Sequence, residues 1–292
     1  MKKKPEKIER IGLIANSEKI SARPLAQKAA RLIVAAGKEV LCDDATAQLA
    51  GLKAKIFSTT AETAEAADLL LVFGGDGTML RVVREMKGSR TPILGINIGR
   101  LGFLTAVPSQ NLAEALQQIW ANDFTVETRS LIEANGQNGK ISWRALNDIV
   151  ISRGAVPRII ELEVTINDEA LTSYRCDGLI LSSPTGSTAY SLSAGGAIVN
   201  PNAEVFSITP ICPHTLTNRS VIVSLNSIIE VKVISEKVET TVTADGQMQS
   251  DLQAGDVITV QRSRHSAHLV HLGGSSFFDT VRRKLHWSGS NV

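Results

Sequence analysis

Three cysteines are all that 292 residues contain, and Cys42, Cys176 and Cys212 are widely spaced with no CxxC pair among them. An odd, scattered set excludes a disulfide framework and a cysteine-built zinc site, and reads as reduced thiols in a cytoplasmic protein. Long apolar runs are missing too: nowhere do about 18 consecutive apolar residues occur, as a membrane-spanning helix requires. Neither sign of charge dominates, since 31 basic residues face 29 acidic ones for a formal +2. That balance excludes the clustered positive field of a nucleic-acid or membrane-surface binder and points to small-molecule partners. Lys2, Lys3 and Lys4 resemble the start of a signal peptide, but the apolar run that follows, Ile11 to Ala15, is too short for one and holds Gly12. With 43% apolar residues and no low-complexity tract or internal repeat, the chain is expected to form two packed cores.

What is present divides into two textures. From Arg10 to about Asn122, the apolar runs Ile11 to Ala15, Val40 to Cys42, Leu69 to Phe73 and Ile93 to Ile96 alternate with helical patterns. This is the signature of an α/β domain around a parallel sheet. One helix is marked by Leu25, Ala29, Leu32 and Ile33 and closed by Gly37; another starts at a Ser109 cap and carries Leu112, Leu116 and Ile119. After Phe124 come β-branched runs at 159–166, 221–223, 228–234, 238–242 and 257–260. Turn pairs separate them, among them Asn135-Gly136, Asn167-Asp168, Asp245-Gly246 and Gly255-Asp256, so this half reads as all-β. Phe277, Phe278, Val281 and Leu285 predict a closing helix that packs back on the first domain. The expected division is 1–124, 125–274 and a terminal helix in 275–292.

The sharpest motif is Leu69 to Phe73 running into Gly74-Gly75-Asp76-Gly77-Thr78 and then a helix with Met79, Leu80, Val83 and Met86 on one face. A strand, a glycine loop and a helix N-terminus bring backbone N–H groups and the helix dipole to phosphate oxygens. The loop lacks the Lys-Ser/Thr of a P-loop and the spacing of a dinucleotide fingerprint, and it places Asp76 beside an anionic ligand. A carboxylate there serves as acceptor for the proton of an attacking hydroxyl, or helps to hold a divalent cation; either makes phosphoryl transfer the natural chemistry. The plain alternative is that Asp76-Gly77 is only a tight turn.

Two clusters lie in the β half. Asn147-Asp148 interrupts the apolar run Ala145 to Ile151, where an amide and a carboxylate suit the vicinal hydroxyls of a ribose, unless they form only a polar start to a strand. The second is Arg175-Cys176-Asp177-Gly178, an apolar strand, and then a serine, threonine and glycine run from Ser182 to Gly196. Such a run is usually a linker, but Tyr190, Leu192 and Ala194 within it predict a packed loop able to enclose a planar polar ligand, with Tyr190 as its platform.

Taken together these pieces resemble the NAD kinase family over nearly the whole chain: Gly74 to Thr78; Gly95 to Leu104 (GINIGRLGFL); Asn147-Asp148; Asp177 to Gly196 (DGLILSSPTGSTAYSLSAGG); Pro213 to Leu216 with Arg219; and Asp245-Gly246-Gln247. The glycine loop alone is shared with diacylglycerol kinases, sphingosine kinases and phosphofructokinases. The resemblance implies an α/β domain followed by a β-sandwich-like domain, an NAD site in the cleft between them, and ATP with a divalent cation (Mg or Mn) as donor. It implies Asp76 as general base, Gly74, Gly75, Gly77 and Thr78 as the ATP phosphate loop, and NAD contacts from Gly77, Asn147, Asp148, Thr188, Ala189, Tyr190, Ser191, Leu192 and Ser193. Arg175 and Asp177 are implied near the nicotinamide end or a neighbouring subunit's site, with Phe103, Arg158 and Gln247 as further contacts. A homodimer or homotetramer is implied, and polyphosphate is an alternative donor. Departures from the family pattern are Asp148 where many relatives carry Glu, and Ala197 and Ser220 where proline is frequent.

Three rival functions share some of these features. A lipid kinase would share the glycine loop but needs a membrane-docking surface that the sequence does not display. A non-catalytic dinucleotide sensor would bind NAD and consume no ATP. A serine hydrolase built on Ser187, Ser191 and His214 lacks a Gly-x-Ser-x-Gly elbow.

Overall fold

A computed structural model of the chain describes residues 7–99, 102–105, 107–137, 139–215, 219–236, 238–273 and 276–287. Lys2 to Lys4, Arg100, Leu101 and Leu216 lie outside the described residues. Two units divide the chain: the first comprises Met1–Thr128 and His268–Val292, the second Arg129–Ala267.

In the first unit the four short apolar runs become β1 (Arg10–Ala15), β2 (Glu39–Asp43), β4 (Leu69–Gly74) and β5 (Ile93–Asn97); with β3 (Lys55–Phe57), which no such run marks, they pair in parallel in the order β3-β2-β1-β4-β5. Helices cover both faces of a parallel sheet, so its strands can be apolar throughout, as Leu69–Gly74 is, rather than alternating. The helices are α1 (Ala22–Ala35), α2 (Asp44–Ala50), α3 (Thr60–Ala66), α4 (Asp76–Glu85) and, after the two-residue strand β6 (Val107–Pro108), α5 (Leu112–Trp120). The face that α1 buries is Ala22, Ala26, Ala29 and Ile33, with Leu25 and Leu32 at its margin, so the helix lies close to the sheet on its alanines.

Strand order reverses between β1 and β4, and this is the place where open α/β sheets bind ligands, beyond the carboxyl ends of the strands. Asn16 follows β1 and the glycine loop follows β4. The Asn16 side-chain amide donates to Thr78 Oγ1 at 3.4 Å, joining the two sides of that point.

β7 (Phe124–Gly136) carries the chain into the second unit. There follow β8 (Ser142–Ala145), β9 (Asp148–Arg153), β10 (Ile160–Ile166), β11 (Glu169–Cys176), β12 (Gly178–Ser182), the short helix α6 (Tyr190–Ser193), β13 (Val205–Ile211), β14 (Val221–Ser224), β15 (Ile229–Val233), β16 (Thr240–Ala244), β17 (Met248–Leu252) and β18 (Val257–Leu272). One antiparallel sheet has the order β14-β13-β12-β9-β16-β17; a second layer runs β11-β10-β15-β18. Ile149, Ile151, Leu181 and Phe206 from one and Leu162, Val164, Val231 and Ile258 from the other share a single core, which is the expected sandwich-like arrangement. The pair Asn167-Asp168 (φ 50° and 66°) is left-handed at both positions, as a two-residue hairpin turn requires, and Asp245-Gly246 (φ 52° and 63°) is left-handed at both positions in the three-residue loop between Ala244 and Met248. The closing helix is α7 (Phe277–Leu285), a member of the first unit, with Val281 buried and the Lys284 ammonium 5.2 Å from the Phe103 ring.

Two expectations are corrected. Ser109 does not cap α5: it opens a 3₁₀ turn over Ser109–Asn111, where its carbonyl accepts the Leu112 N–H. Asn135-Gly136 is not the turn, because Asn135 pairs with Ser142 across β7 and β8 and the reversal comes later, with Gly139 at φ 70°. Helices α2 and α3 and strands β3, β6, β7, β8, β11, β13 and β17 are additions that the apolar runs do not mark. For α3 a sequence signal exists, since Thr59 accepts the Glu62 N–H and Glu62 accepts the Thr59 N–H in a reciprocal cap. Thr59→Ala should lower unfolding stability by about 1 kcal/mol, read from denaturant titration, whereas Thr59→Ser should leave it nearly unchanged.

Candidate functional site

In the first unit the site is built around one carboxylate. β4 ends at Gly74, Gly75 occupies the cap position of α4 in extended backbone with no side chain to cap the helix, and Asp76 is the first helical residue. Aspartate here complements the helix dipole, yet its carboxylate turns to the segment after β5. Oδ2 accepts the Phe103 N–H at 2.7 Å, while Oδ1 accepts the Leu104 N–H at 3.0 Å, the Thr105 N–H at 3.2 Å and the Thr105 hydroxyl at 3.2 Å. Successive backbone donors of this kind form an anion-binding concavity, which Asp76 fills itself.

Two glycines make the approach possible. A Cβ on Gly102 would stand 1.8 Å from Asp76 Oδ1, and a Cβ on Gly74 would stand 2.2 Å from Thr78 Oγ1. Gly77 beside Asp76 is exposed in the first turn of α4. Of the residues expected from sequence, Gly74, Gly75, Asp76, Gly77, Thr78 and Phe103 are therefore brought together. Asn97, Gly102 and Thr105 belong with them, although the sequence reading does not single them out as site residues. Asn97 and Gly102 fall within the Gly95 to Leu104 motif, and Thr105 directly follows it.

The second unit uses the same device. Asp245, in the left-handed turn after β16, accepts the N–H groups of Leu146 at 2.9 Å, Asn147 at 2.7 Å and Asp148 at 3.3 Å. On the opposite side the Ser183 hydroxyl donates to the Leu146 carbonyl, and the Ser183 N–H donates to the Asn147 carbonyl at 2.8 Å. Gly186 packs so closely on that carbonyl that a Cβ would lie 2.2 Å from it. Asn147-Asp148 is thus locked between the Asp245 turn and the serine, threonine and glycine run. Asp245 lies in a family motif but is not among the expected site residues; Gln247, which is, stands exposed two positions on.

Asp148 is 5% exposed. Its burial, and then the facing Asp245 charge, push the carboxyl up to about 7. Near neutral pH it is therefore divided between a form that only accepts hydrogen bonds and one that also donates.

The run from Ser182 folds as expected into a packed segment, a 3₁₀ turn over Thr185–Thr188 and then α6. Its hydroxyls hold it in place. Ser187 Oγ donates to the Pro184 carbonyl at 2.7 Å and accepts the Val199 N–H at 3.0 Å; the Ser191 and Thr209 hydroxyls are hydrogen-bonded to each other at 3.1 Å, and Thr188 Oγ1 donates to the Thr185 carbonyl at 3.3 Å. Ala189, Leu192 and Ser193 are partly or fully exposed, and Tyr190 presents its ring to solvent at 47% exposure. Ser187 and Ser191 face structural partners rather than an imidazole, and His214 is exposed with its N–H on the Arg175 carbonyl, so these groups form no hydrolase triad. Asp177 pairs with Arg153 Nε at 3.1 Å, and Arg175 is exposed one strand position before Cys176. Arg158 is exposed, and no hydrogen bond joins it to the other candidates among the described residues.

Gly102→Ala should push the Asp76 carboxylate out of its cradle and lower turnover by at least about tenfold with the fold retained, measured by steady-state kinetics alongside circular dichroism. For Asp148 the native carboxyl titrates near 7, above its unfolded value of 3.8, so between those limits the native state holds a proton that the unfolded chain has lost and stability falls as pH rises. Asp148→Asn should therefore gain stability relative to the unsubstituted chain from pH 4 to pH 8; an offset independent of pH would contradict the burial argument.

The comparisons with known proteins agree on one family. The profile of the ATP-NAD kinase N-terminal domain matches residues 11–124, and that of the ATP-NAD kinase C-terminal domain matches residues 146–272. The NAD kinase of Moorella thermoacetica is 42% identical over 285 residues, covering 97% of this chain and 91% of that relative. The NAD kinase of Caldanaerobacter subterraneus is 38% identical over 281 residues, covering 95% and 99%. Among solved structures, yeast NADH kinase complexed with NADH superposes with a TM-score of 0.87 at 26% identity, covering 98% of this chain and 90% of that one. An NAD kinase from Archaeoglobus fulgidus in complex with ATP superposes with a TM-score of 0.75 at 27% identity, covering 96% and 100%. Matched through both its halves by the two domain profiles and at 38% identity or more by relatives of nearly its full length, the chain belongs to the NAD kinase family.

Proposed function

We propose that the chain transfers the terminal phosphoryl group of ATP to the 2′-hydroxyl of the adenosine ribose of NAD, giving NADP, with Asp76 as the general base. The observation that carries this is the Asp76 carboxylate, held rigidly by donors from Phe103 to Thr105 at the open N-terminus of α4. A proton acceptor is there set beside an anion site, as transfer from a phosphate donor to an alcohol requires. The transition state is loose, so positioning and neutralisation of charge supply most of the rate.

Gly75 to Thr78 are assigned to the ATP phosphates. Asn147 and Asp148 are assigned to ribose hydroxyls, and the segment from Thr188 to Ser193 to the adenine, with Tyr190 as stacking surface. Among the described residues no group of three or more His, Cys, Asp or Glu side chains is arranged to hold a metal. A divalent cation, Mg or Mn, is assigned to the donor and would arrive with ATP, where it would neutralise phosphate charge. Among the described residues no helix is long and apolar enough to cross a membrane. Burial raises the thiols of Cys42 and Cys176 to about 11 and about 12, so these two are unreactive. The relatives named above are NAD kinases rather than lipid kinases, which supports a dinucleotide acceptor.

A coupled assay of NADP formation tests the reading. With ATP and Mg the unsubstituted chain should turn over, Asp76→Asn should bind NAD and fall by about 10²- to 10⁴-fold in kcat, and EDTA should abolish turnover without preventing NAD binding. Unimpaired turnover by Asp76→Asn would remove Asp76 from the role of base. The same assay with polyphosphate in place of ATP reads the donor.

A further inference from the structure

The donors around Asp76 differ in kind. Three are backbone N–H groups, present whatever side chains stand at 103–105; the fourth is the Thr105 hydroxyl. Thr105 is 0% exposed, and Asn97, at the end of β5, is 3% exposed. The Asn97 side-chain amide donates to Thr105 Oγ1 at 2.7 Å. An amide NH₂ offers no lone pair, so the Thr105 proton is directed away from Asn97, and Asp76 Oδ1 lies within reach to accept it. The chain of hydrogen bonds from Asn97 through Thr105 to Asp76 therefore runs one way, each bond strengthening the next.

This chain ends on a particular oxygen. Among the described residues Oδ1 accepts three hydrogen bonds and Oδ2 one. A carboxylate oxygen has two lone pairs, so Oδ1 is saturated and Oδ2 keeps capacity for one more proton.

We propose that Thr105, oriented by Asn97, is a positioning residue for the phosphoryl transfer: its hydroxyl pins Oδ1 of Asp76 so that Oδ2 is presented to the reacting sugar hydroxyl. This rests on the reading of Asp76 as general base. In the step itself the hydroxyl proton passes to Oδ2 while the sugar oxygen bonds to the terminal phosphorus. The bond from that phosphorus to its bridging oxygen breaks, and ADP leaves with the electron pair. Thr105 keeps its own proton throughout.

The test is a double-mutant cycle on the full chain. Thr105→Val removes the hydroxyl and keeps the shape; it should lower kcat by about tenfold or more while the KM for NAD moves less than about twofold. Thr105→Ser should restore most of the loss. In an Asp76→Asn background, adding Thr105→Val should change the residual kcat little, because the partner through which Thr105 acts is gone; a merely structural threonine would cost the same factor in both backgrounds. Thr105→Ala carries the same comparison should the valine variant not fold. A wild-type kcat in the hydroxyl-free variant, or equal losses in the two backgrounds, overturns the proposal. Full turnover by Asp76→Asn alone is a separate result that removes the base, and Thr105's role with it.

Discussion

A carboxylate set among glycines at the start of a helix cannot stay in place without donors, and this need organises the first unit. Asp76 obtains them from three consecutive residues after β5. The 102–105 segment must then pass within van der Waals contact of the loop after β4, which only a glycine at 102 allows. The parallel pairing of β4 with β5, from Leu70 with Ile93 to Gly74 with Asn97, brings the ends of both strands to the same level and makes the contact geometrically possible. Disturbing any of these parts displaces the Asp76 carboxylate.

The second unit applies the same physics with another outcome. Asp245 gathers three N–H groups from Leu146 to Asp148 and so fixes a bend that regular β pairing would not hold. In doing so it places its own negative charge near Asp148, whose burial already disfavours ionisation. One carboxylate is the scaffold and its neighbour is left responsive to pH. Ser183 and Gly186 complete the bend from the far side, which gives the serine, threonine and glycine run a reason for its composition: small residues permit contact and hydroxyls tie down buried carbonyls.

Much of the fold is legible in the residues alone. The strands at 10–15, 69–74 and 93–97 and the helix after the glycine loop follow from apolar runs bounded by turn residues, because local burial and local periodicity agree there. The hairpins at Asn167-Asp168 and Asp245-Gly246 follow from residues that tolerate left-handed backbone. Asn135-Gly136 shows the limit of that rule, since cross-strand pairing with Ser142 overrides an equally good turn pair. Strand β13, Val205–Ile211, is hidden from a periodicity argument because Pro210 and the polar Ser207 and Thr209 interrupt its pattern. Those polar residues are explained by the folded arrangement, in which Thr209 Oγ1 is hydrogen-bonded to the hydroxyls of Ser191, Ser207 and Ser220.

The two textures, the glycine loop with its acid, and the residue types that identify the family are properties of neighbours along the chain, and so the amino-acid order dictates them unaided. Which groups hold that acid, and which hydroxyls are already occupied, is settled by folding. Thr105 lies 29 positions from Asp76, and Asp245 lies 97 from Asp148. No periodicity or propensity spans such distances; only the folded backbone, bringing donors and carboxylates to hydrogen-bonding range, assigns them to one another.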